Sequence, residues 1–209
     1  VLGQPGIQVI YPLPNLAVDA CFFNFLVADS SSYLGVMQPN STFTRDGAPP
    51  NIMNDSNLRL AIAHMFDYAT YLSAAFLNES ISPVTPIIPG IAYYDPTIGQ
   101  IESPTINQRK MYGIAGENAG QLAYDLNLAK TYLQAAWGGQ LWANGFTFDA
   151  VSIGSSTTRP TTAQLMKDAF DTMNANYRTN FTINVVYLPW NLYSLELKQR
   201  TLPYFIVGW

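Results

Sequence analysis

Residues 146–188 read FTFDAVSIGSSTTRPTTAQLMKDAFDTMNANYRTNFTINVVYL and contain two strand-like runs around one helix-like run. The first run, FTFDAVSIG, and the last, FTINVVYL, alternate between apolar and other residues, which is typical of β-strands. Thr161 or Thr162 can cap the helix between them. Apolar residues at helical spacing predict its buried face: Met166, Ala169, Phe170, Met173 and Tyr177. A strand, a helix and a strand in this order predict a parallel pair with a right-handed crossover.

The alternation of strands and helices continues along the chain. We expect a short helix at residues 191–199 and a strand at residues 204–209. This order indicates the α/β fold class, with a mixed, mostly parallel sheet flanked by helices. Since no repeat, low-complexity stretch or linker divides the sequence, we expect residues 1–209 to form a single α/β domain.

The first part of the chain contributes two more strand-like runs. GIQVIYPLP, residues 6–14, predicts a strand closed by prolines, and ACFFNFLVA, residues 20–28, predicts a strand buried on both faces. Cys21, within the second run, is interpreted as a buried small hydrophobic residue. Residues 29–54 are rich in Ser, Pro, Asn and Gly, and we expect them to wrap the surface as a long loop.

Capping residues predict three more helices. NLRLAIAHMFD, residues 57–67, follows three candidate N-caps, Asn54, Asp55 and Ser56. Asp67 can cap a second helix at once, and Asp125 can cap a third that ends at a Gly-Gly pair. Prolines within residues 81–90 exclude a helix there and predict an extended segment.

The composition of the chain excludes some partners. Charged residues make up only 11% of it and its formal net charge is −4, so we expect no nucleic-acid partner. No apolar run approaches the roughly 20 residues that a membrane-spanning helix needs. Four Asn-x-Ser/Thr triplets can mark glycosylated surface loops of an exported protein. These triplets begin at Asn40, Asn54, Asn78 and Asn180.

Residue types that enzymes and metal sites use are scarce. One His and one Cys leave a zinc site to carboxylates, which is uncommon, and the motifs GxGxxG, GxxxxGK and GxSxG are absent. His64 falls in the middle of a predicted helix and is interpreted as structural. Asp149 and Glu196 stay open as paired acids, although their spacing does not select them. We therefore expect no catalytic residue, no metal and no cofactor, and we expect some of the many aromatic residues to line a groove.

Five motifs occur in an order that resembles a known family. Residues 58–68, LRLAIAHMFDY, match the first motif through Arg59, Ala61 and Asp67. The others are the proline-rich residues 82–90, the helical residues 124–136, the segment 188–193 around Trp190, and Gly208-Trp209. In this order they resemble the second lobe of extracellular solute-binding proteins of family 5, which include the oligopeptide, dipeptide and nickel binders of ABC importers.

This resemblance implies a type II periplasmic-binding-protein-like lobe. The chain would be most of the second lobe of a two-lobed receptor, with the first lobe and a C-terminal part outside it. Such receptors close over a ligand by hinge bending. The implied ligand-binding residues are Trp209, Gly208, Val207 and Trp190, whereas Arg59 and Asp67 are implied to be scaffold residues.

The function implied by the resemblance is that of an extracytoplasmic receptor, not of an enzyme. It would be periplasmic or at the cell surface, anchored to the membrane in its full length, and would deliver oligopeptides to an ABC transporter permease. Two alternatives stay open: an oligosaccharide receptor of the same family, and a surface structural or adhesion module that uses the fold. We expect the isolated chain to be monomeric.

Overall fold

The computed structural model describes residues 17–77, 80, 92 and 124–208. Its strands are β1 (Asp19–Phe23), β2 (Phe146–Ile153), β3 (Phe181–Leu188) and β4 (Tyr204–Gly208). Its α-helices are α1 (Ser56–Met65), α2 (Tyr68–Phe76), α3 (Leu126–Ala135), α4 (Gln140–Asn144), α5 (Arg159–Tyr177) and α6 (Trp190–Gln199). None of the helices in this part of the chain has the length and apolar character required to cross a membrane. The predicted strand at residues 6–14 and the extended segment at residues 81–90 lie outside the described residues.

β2 and β3 form the predicted parallel pair, and α5 connects them. The register runs from Phe146 opposite Phe181 to Ile153 opposite Leu188. β2 is buried along almost its whole length, because α5 covers one of its faces and α6 contacts the other. The predicted inner face of α5 is confirmed: Met166, Ala169, Phe170 and Met173 are buried in the main core.

β4 pairs with β1 in antiparallel orientation instead of extending the parallel pair. Asp19 lies opposite Gly208, and Phe23 lies opposite Tyr204. The pairing of the described strands is therefore mixed and mostly parallel, as expected: eight residue pairs are parallel and five are antiparallel. A side chain of α6 bonds the other edge of β4, as described below, so β4 has no ladder to β2 or β3 in this part of the chain.

β1 is shorter and more exposed than predicted. It ends at Phe23 because the Asn24 side chain bonds to the main chain, donating to the Arg200 carbonyl at 2.9 Å and accepting from the Leu26 N–H at 3.2 Å. The prediction of a strand over residues 20–28 buried on both faces is therefore wrong. Cys21 is exposed rather than buried, although its thiol lies 3.1 Å from the hydroxyl of Tyr204.

The long loop at residues 29–54 is part of the core, which corrects the prediction that it wraps the surface. Its main chain is tied to itself, with the Ala48 N–H donating to the Leu34 carbonyl at 2.9 Å. It is also tied to β2, since the Thr147 hydroxyl donates to the Arg45 carbonyl at 2.6 Å. Although Val36 is exposed, five apolar residues of this segment are buried: Leu34, Phe43, Ala48, Ile52 and Met53.

The predicted caps of the first three helices are confirmed. Asp55 accepts the Leu58 N–H at 3.0 Å, and Asp67 accepts the Thr70 N–H at 2.9 Å. Asp125 accepts two N–H groups at the start of α3. The predicted start of α5 at Thr161 or Thr162 is wrong, because the helix begins at Arg159.

The start of α5 follows from its second residue. Pro160 suits the first turn of a helix, where its missing N–H leaves no bond unmade and its fixed φ is already helical. The Arg159 N–H is instead satisfied by the Ser156 hydroxyl at 3.2 Å.

The polar residues inside α1 serve packing. Arg59 donates to the Met53 carbonyl at 2.6 Å, and its guanidinium lies 4.5 Å from the centre of the Phe25 ring. His64 is only 2% exposed and stacks on Tyr132 with ring centres 5.7 Å apart. Both residues therefore connect α1 to its neighbours.

Candidate ligand-binding edge

The carboxyl ends of β2 and β3 meet at one edge of the domain. The Gly154 N–H, just after β2, donates to the Leu188 carbonyl at the end of β3 at 2.9 Å. From there β2 continues into α5 at Arg159, and β3 continues into α6 at Trp190. Ligands of open α/β sheets bind outside the carboxyl ends of the strands. We call this the carboxyl edge.

Gly208, the last residue of β4, lies at the same edge. A Cβ built on Gly208 would stand 2.5 Å from the Arg159 guanidinium and 2.1 Å from the Asp19 carboxylate. The end of β4 is therefore in contact with the first residue of α5. Only glycine fits here without moving the two charged side chains.

Asp19 and Arg159 form an ion pair beside Gly208. The Asp19 Oδ1 accepts from Arg159 Nη2 at 2.8 Å and from Nε at 3.1 Å. The two side chains are only 20% and 22% exposed. Because the two charges neutralise each other, this pair leaves neither a free cation nor a free carboxylate in its own place for a charged ligand group.

The main chain of Gly208 faces away from β1. In an antiparallel ladder, successive residues direct their N–H and C=O groups alternately toward the partner and away from it. Asn24 N–H bonds to Pro203 C=O at 3.0 Å, so residues 203, 205 and 207 face β1. Ile206 faces the other way, and by the same alternation so does Gly208.

Tyr193 of α6 bonds the outward groups of Ile206. Its hydroxyl donates to the Ile206 carbonyl at 2.9 Å and accepts the Ile206 N–H at 2.8 Å. Burial raises the pKa of Tyr193 to about 12, so the hydroxyl keeps its proton at any physiological pH. Tyr193 thus bonds the outward main-chain groups of Ile206, and Gly208 is the next residue of β4 whose main-chain groups face outward.

Trp190 brings an exposed aromatic surface to the carboxyl edge. It is the first residue of α6, is 55% exposed, and its ring packs against Tyr193 with centres 6.3 Å apart. Tyr187 near the end of β3 is also 51% exposed. The indole therefore packs against Tyr193, while more than half of Trp190 stays exposed to solvent.

The structure places the four predicted binding residues as follows. Gly208 and Trp190 lie at the carboxyl edge, both linked to Tyr193 through Ile206 or direct packing. Val207 is in the same strand, but its main chain faces Ala20 of β1, which leaves its half-buried side chain for other contacts. Trp209 lies outside the described residues, and its role stays a prediction.

Sequence reasoning missed three residues of this edge: Asp19, Arg159 and Tyr193. A cation at the start of a helix that follows a buried strand is a signal that points to Arg159. Nothing local pairs it with Asp19, which is 140 residues away in sequence. Similarly, no local pattern predicts that Tyr193 bonds to Ile206.

Replacing Tyr193 by phenylalanine is expected to lower the free energy of unfolding by about 2–3 kcal/mol, because it leaves two buried main-chain groups of Ile206 without a partner. Urea unfolding measures the loss, and amide exchange at Ile206 should become faster. Tyr187→Phe, at an exposed ring, is the control and should change stability by less than about 0.5 kcal/mol. Equal stability of the two variants would contradict the assigned bonds.

The two acids that the sequence left open are held by other residues. Asp149 accepts from the Asn184 amide at 2.8 Å, and Glu196 accepts from the Thr201 hydroxyl. Tyr33 is a neighbour of both acids. Its pKa is raised mainly by burial and, to a smaller extent, by the charges of Glu196 and Asp149. Among the described residues, no group of three His, Cys, Asp or Glu side chains is arranged to hold a metal ion.

Asp149→Asn is expected to stabilise the protein slightly at neutral pH, by less than about 1 kcal/mol. Burial raises the pKa of Asp149 above its ordinary value of 3.8, so ionisation of the folded protein is disfavoured. As pH falls through the raised pKa of Asp149, the free energy of unfolding of the wild type rises relative to that of the variant. The difference should vanish below the pKa that Asp149 has in the unfolded chain. Urea unfolding from pH 3 to pH 8 measures this, with Asp168→Asn on the exposed face of α5 as the control. A difference that grows at low pH would contradict it.

A shallow cavity of about 180 Å³ lies elsewhere in the domain. Phe23, Asn24, Leu197, Arg200, Leu202 and Phe205 line it. Phe23 and Asp19 are at opposite ends of β1, which at about 3.3 Å per residue puts roughly 13 Å between them. This cavity is therefore separate from the carboxyl edge.

Comparison with solved structures supports the fold. The Helicobacter pylori periplasmic binding protein DppA, in complex with the peptide STSA, is similar over 94% of this chain, with 18% identity and a TM-score of 0.52. The Bacillus subtilis oligopeptide-binding protein AppA, in complex with a nonapeptide, is similar over 93%, with 12% identity and a TM-score of 0.55. AgaA from A. tumefaciens R10, in complex with agropinic acid, is similar over 92%, with 13% identity and a TM-score of 0.54.

The chain spans about a third of the length of these structures or less: 29% of DppA, 33% of AppA and 28% of AgaA. The structural similarity over most of the chain establishes the fold, which confirms the expected α/β periplasmic-binding-protein class. A search of curated proteins finds no match to this sequence.

The family suggested by the sequence motifs is confirmed independently. The model of the bacterial extracellular solute-binding proteins, family 5, middle region, matches residues 4–209. The family and the fold are those of non-enzymatic solute-binding proteins. Since the match extends over nearly the whole sequence, this chain belongs to the bacterial extracellular solute-binding proteins of family 5.

Proposed function

We propose that this chain is most of the second lobe of a two-lobed extracytoplasmic receptor that binds oligopeptides and delivers them to an ABC transporter permease. The observation that carries the proposal is the outward-facing main chain of Gly208, at the same edge of the domain as the exposed ring of Trp190. The ligand would lie between this carboxyl edge and a first lobe, and hinge closure would bury it.

An extended peptide suits this edge physically. A peptide main chain can add to a strand through hydrogen bonds between N–H and C=O groups, while pockets or aromatic surfaces take its side chains. Gly208 offers one such pair of groups and, lacking a Cβ, leaves room for a second main chain to approach. Trp190 offers apolar area, and we propose that Val207 and Trp209 complete the contact.

Two of the three similar structures were solved with a peptide ligand. DppA and AppA were solved with peptides, whereas AgaA was solved with agropinic acid. One fold thus accommodates chemically different ligands. The assignment to peptides therefore depends on the main-chain groups at Gly208.

Oligosaccharides are the second candidate ligand class. The Asp19–Arg159 pair is closed, so it provides no charge for a peptide terminus, and Trp190 and Tyr187 are exposed rings on which sugars can stack. Both features suit a neutral ligand. We place this candidate second because sugar stacking does not require the outward main chain at Gly208.

A thermal-shift panel on the full-length receptor separates the two classes. The probes are peptides of two to nine residues and cello- and xylo-oligosaccharides, each at several concentrations. Stabilisation by peptides, reduced in Trp190→Ala and retained in Trp190→Phe, is the expected result. Stabilisation by sugars alone, or by neither class, would overturn the proposal.

Gly208→Ala in the full-length receptor is expected to weaken peptide binding at least tenfold. Its Cβ would displace the Asp19–Arg159 pair, and the strain should also lower the free energy of unfolding by about 1–3 kcal/mol. Titration calorimetry and urea unfolding measure the two effects separately. Gly154→Ala is the control, since its Cβ would meet only the Tyr187 Cβ at 3.3 Å and the Leu188 carbonyl at 3.8 Å. Unchanged peptide affinity in Gly208→Ala would exclude this part of β4 from the site.

A further inference from the structure

Three Asn-x-Ser/Thr triplets lie within the described residues, and all three are open to solvent. The acceptor residues Asn40, Asn54 and Asn180 are each exposed. The hydroxyl residues two positions later are exposed as well: Thr42, Ser56 and Thr182. The fourth triplet, at Asn78, lies outside the described residues.

The side-chain amide groups of these three asparagines have no role in the hydrogen bonding of the described residues. No hydrogen bond to the side chain of Asn40, Asn54 or Asn180 is formed within the described part of the chain. Other asparagine amides are committed: that of Asn174 donates to the Phe181 carbonyl at 2.6 Å, and that of Asn184 to Asp149 at 2.8 Å. Substitution of the amides in the three triplets therefore breaks no hydrogen bond among the described residues.

All three triplets lie at the end of the domain where β2 and β3 begin. The Asn180 carbonyl accepts the N–H of Phe146, the first residue of β2, at 3.2 Å. Asn54 precedes Asp55, whose carboxylate accepts the Trp137 N–H at 2.9 Å just before α4 leads into β2.

Asn40 belongs to the same end. It occupies a turn closed by the Thr42 N–H and the Pro39 carbonyl at 3.0 Å. The next residue, Phe43, packs against Trp137 with ring centres 5.4 Å apart. The bond from Thr147, second in β2, to Arg45 fixes this loop beside the start of the strand.

This end is remote from the carboxyl edge. The eight residues of β2 separate the two, which at about 3.3 Å per residue is roughly 23 Å. Bulky groups attached here leave Gly208 and Trp190 uncovered. They also add hydrophilic surface to a chain in which only 11% of residues are charged.

We propose that Asn40, Asn54 and Asn180 are N-glycosylation sites grouped at the end of the domain opposite the carboxyl edge. In the reaction, the side-chain Nδ2 attacks C1 of the first sugar of a lipid-phosphate-linked oligosaccharide. The new C1–N bond forms as the C1–O bond to phosphate breaks, the lipid phosphate leaves with the electron pair, and the amide nitrogen loses one proton. The donor and its transferase belong to the cell that exports the protein.

Mass spectrometry of the protein purified from the cells that make it tests the proposal. The proteolytic peptide with Asn40 is expected to carry added mass and to release sugar fragment ions. The same is expected of the peptide with Asn54, of the peptide with Asn180, or of both. The peptide with Asn127 is an internal control, because that residue is exposed but its triplet, Asn-Leu-Ala, lacks the hydroxyl. An unmodified Asn40 peptide in the exported protein would overturn the proposal.

A pair of conservative variants gives a second readout. In the same cells, Thr42→Ser should keep the modification of Asn40 and Thr42→Ala should abolish it, while the other sites remain as they were. Since Thr42 is exposed, both variants should fold equally well. Equal modification in both variants would contradict attachment through this triplet.

Discussion

Phe170→Ala is expected to lower the free energy of unfolding by about 3–5 kcal/mol, the largest loss among the substitutions considered for this protein. Phe170 is fully buried on α5 and meets three other phenylalanine rings edge-on. Its ring centre lies 5.5 Å from Phe146, 6.5 Å from Phe148 and 5.6 Å from Phe181. Removing the ring opens a cavity between the helix and both parallel strands.

Equilibrium urea unfolding, followed by circular dichroism, measures this loss. Leu192→Ala is a suitable control, because Leu192 is 45% exposed on α6 and its truncation should change stability by less than about 0.5 kcal/mol. A loss below about 1 kcal/mol for Phe170→Ala would contradict the assignment of this ring cluster as the centre of the core.

Gly145→Ala is expected to lower the free energy of unfolding by about 3 kcal/mol. Gly145 connects α4 to β2 with φ 75° and ψ −175°, a conformation that only glycine adopts without strain. A Cβ would also stand 2.1 Å from the Asn180 carbonyl, which is main chain and cannot rotate away. Strain and overlap therefore add, and the start of β2 would be pushed from β3.

Gly138→Ala separates the two causes. Gly138 also has a positive φ, of 62°, but a Cβ there would meet no atom within 4 Å. This variant should lose only about 1 kcal/mol, from backbone strain alone. Similar losses in the two variants, again by urea unfolding, would show that the contact between Gly145 and Asn180 is not as close as described.

The parts of the fold that the sequence predicted are those fixed by nearby residues. β3 has the predicted bounds, and β2 ends one residue before its predicted end, because alternation marks both strands. Asp55, Asp67 and Asp125 cap the predicted helices because a cap bonds to N–H groups two or three residues away. The predicted start of α5 lies too far along the chain, because it rests on threonine as an N-cap, whereas Pro160 belongs to the first turn.

The parts that were not predicted depend on residues far apart in sequence. An apolar run such as residues 20–28 does not show which strand it joins or how much of it that strand can cover. The strand within this run, β1, ends at Phe23, next to the hydrogen bond between Asn24 and Arg200, which are 176 positions apart in sequence. Likewise, the apolar residues of the loop at 29–54 are spaced by turns and have no period, so their burial was not visible.

The candidate site shows the same division. Trp190 and Gly208 are predicted from the motifs of a family, because their own sequence context does not distinguish them from other aromatic and turn residues. The ion pair that fixes Gly208 joins residues 140 positions apart, and the bonds from Tyr193 to Ile206 join a helix to a strand. Only the folded chain brings these groups together.

The hydroxyl of Tyr193 also has a consequence for solubility. A strand with a free row of N–H and C=O groups is a template on which other chains can pair and aggregate. By taking both groups of Ile206, Tyr193 interrupts that row in the middle of β4. A strand from a second molecule that paired along β4 would therefore find the position at Ile206 occupied.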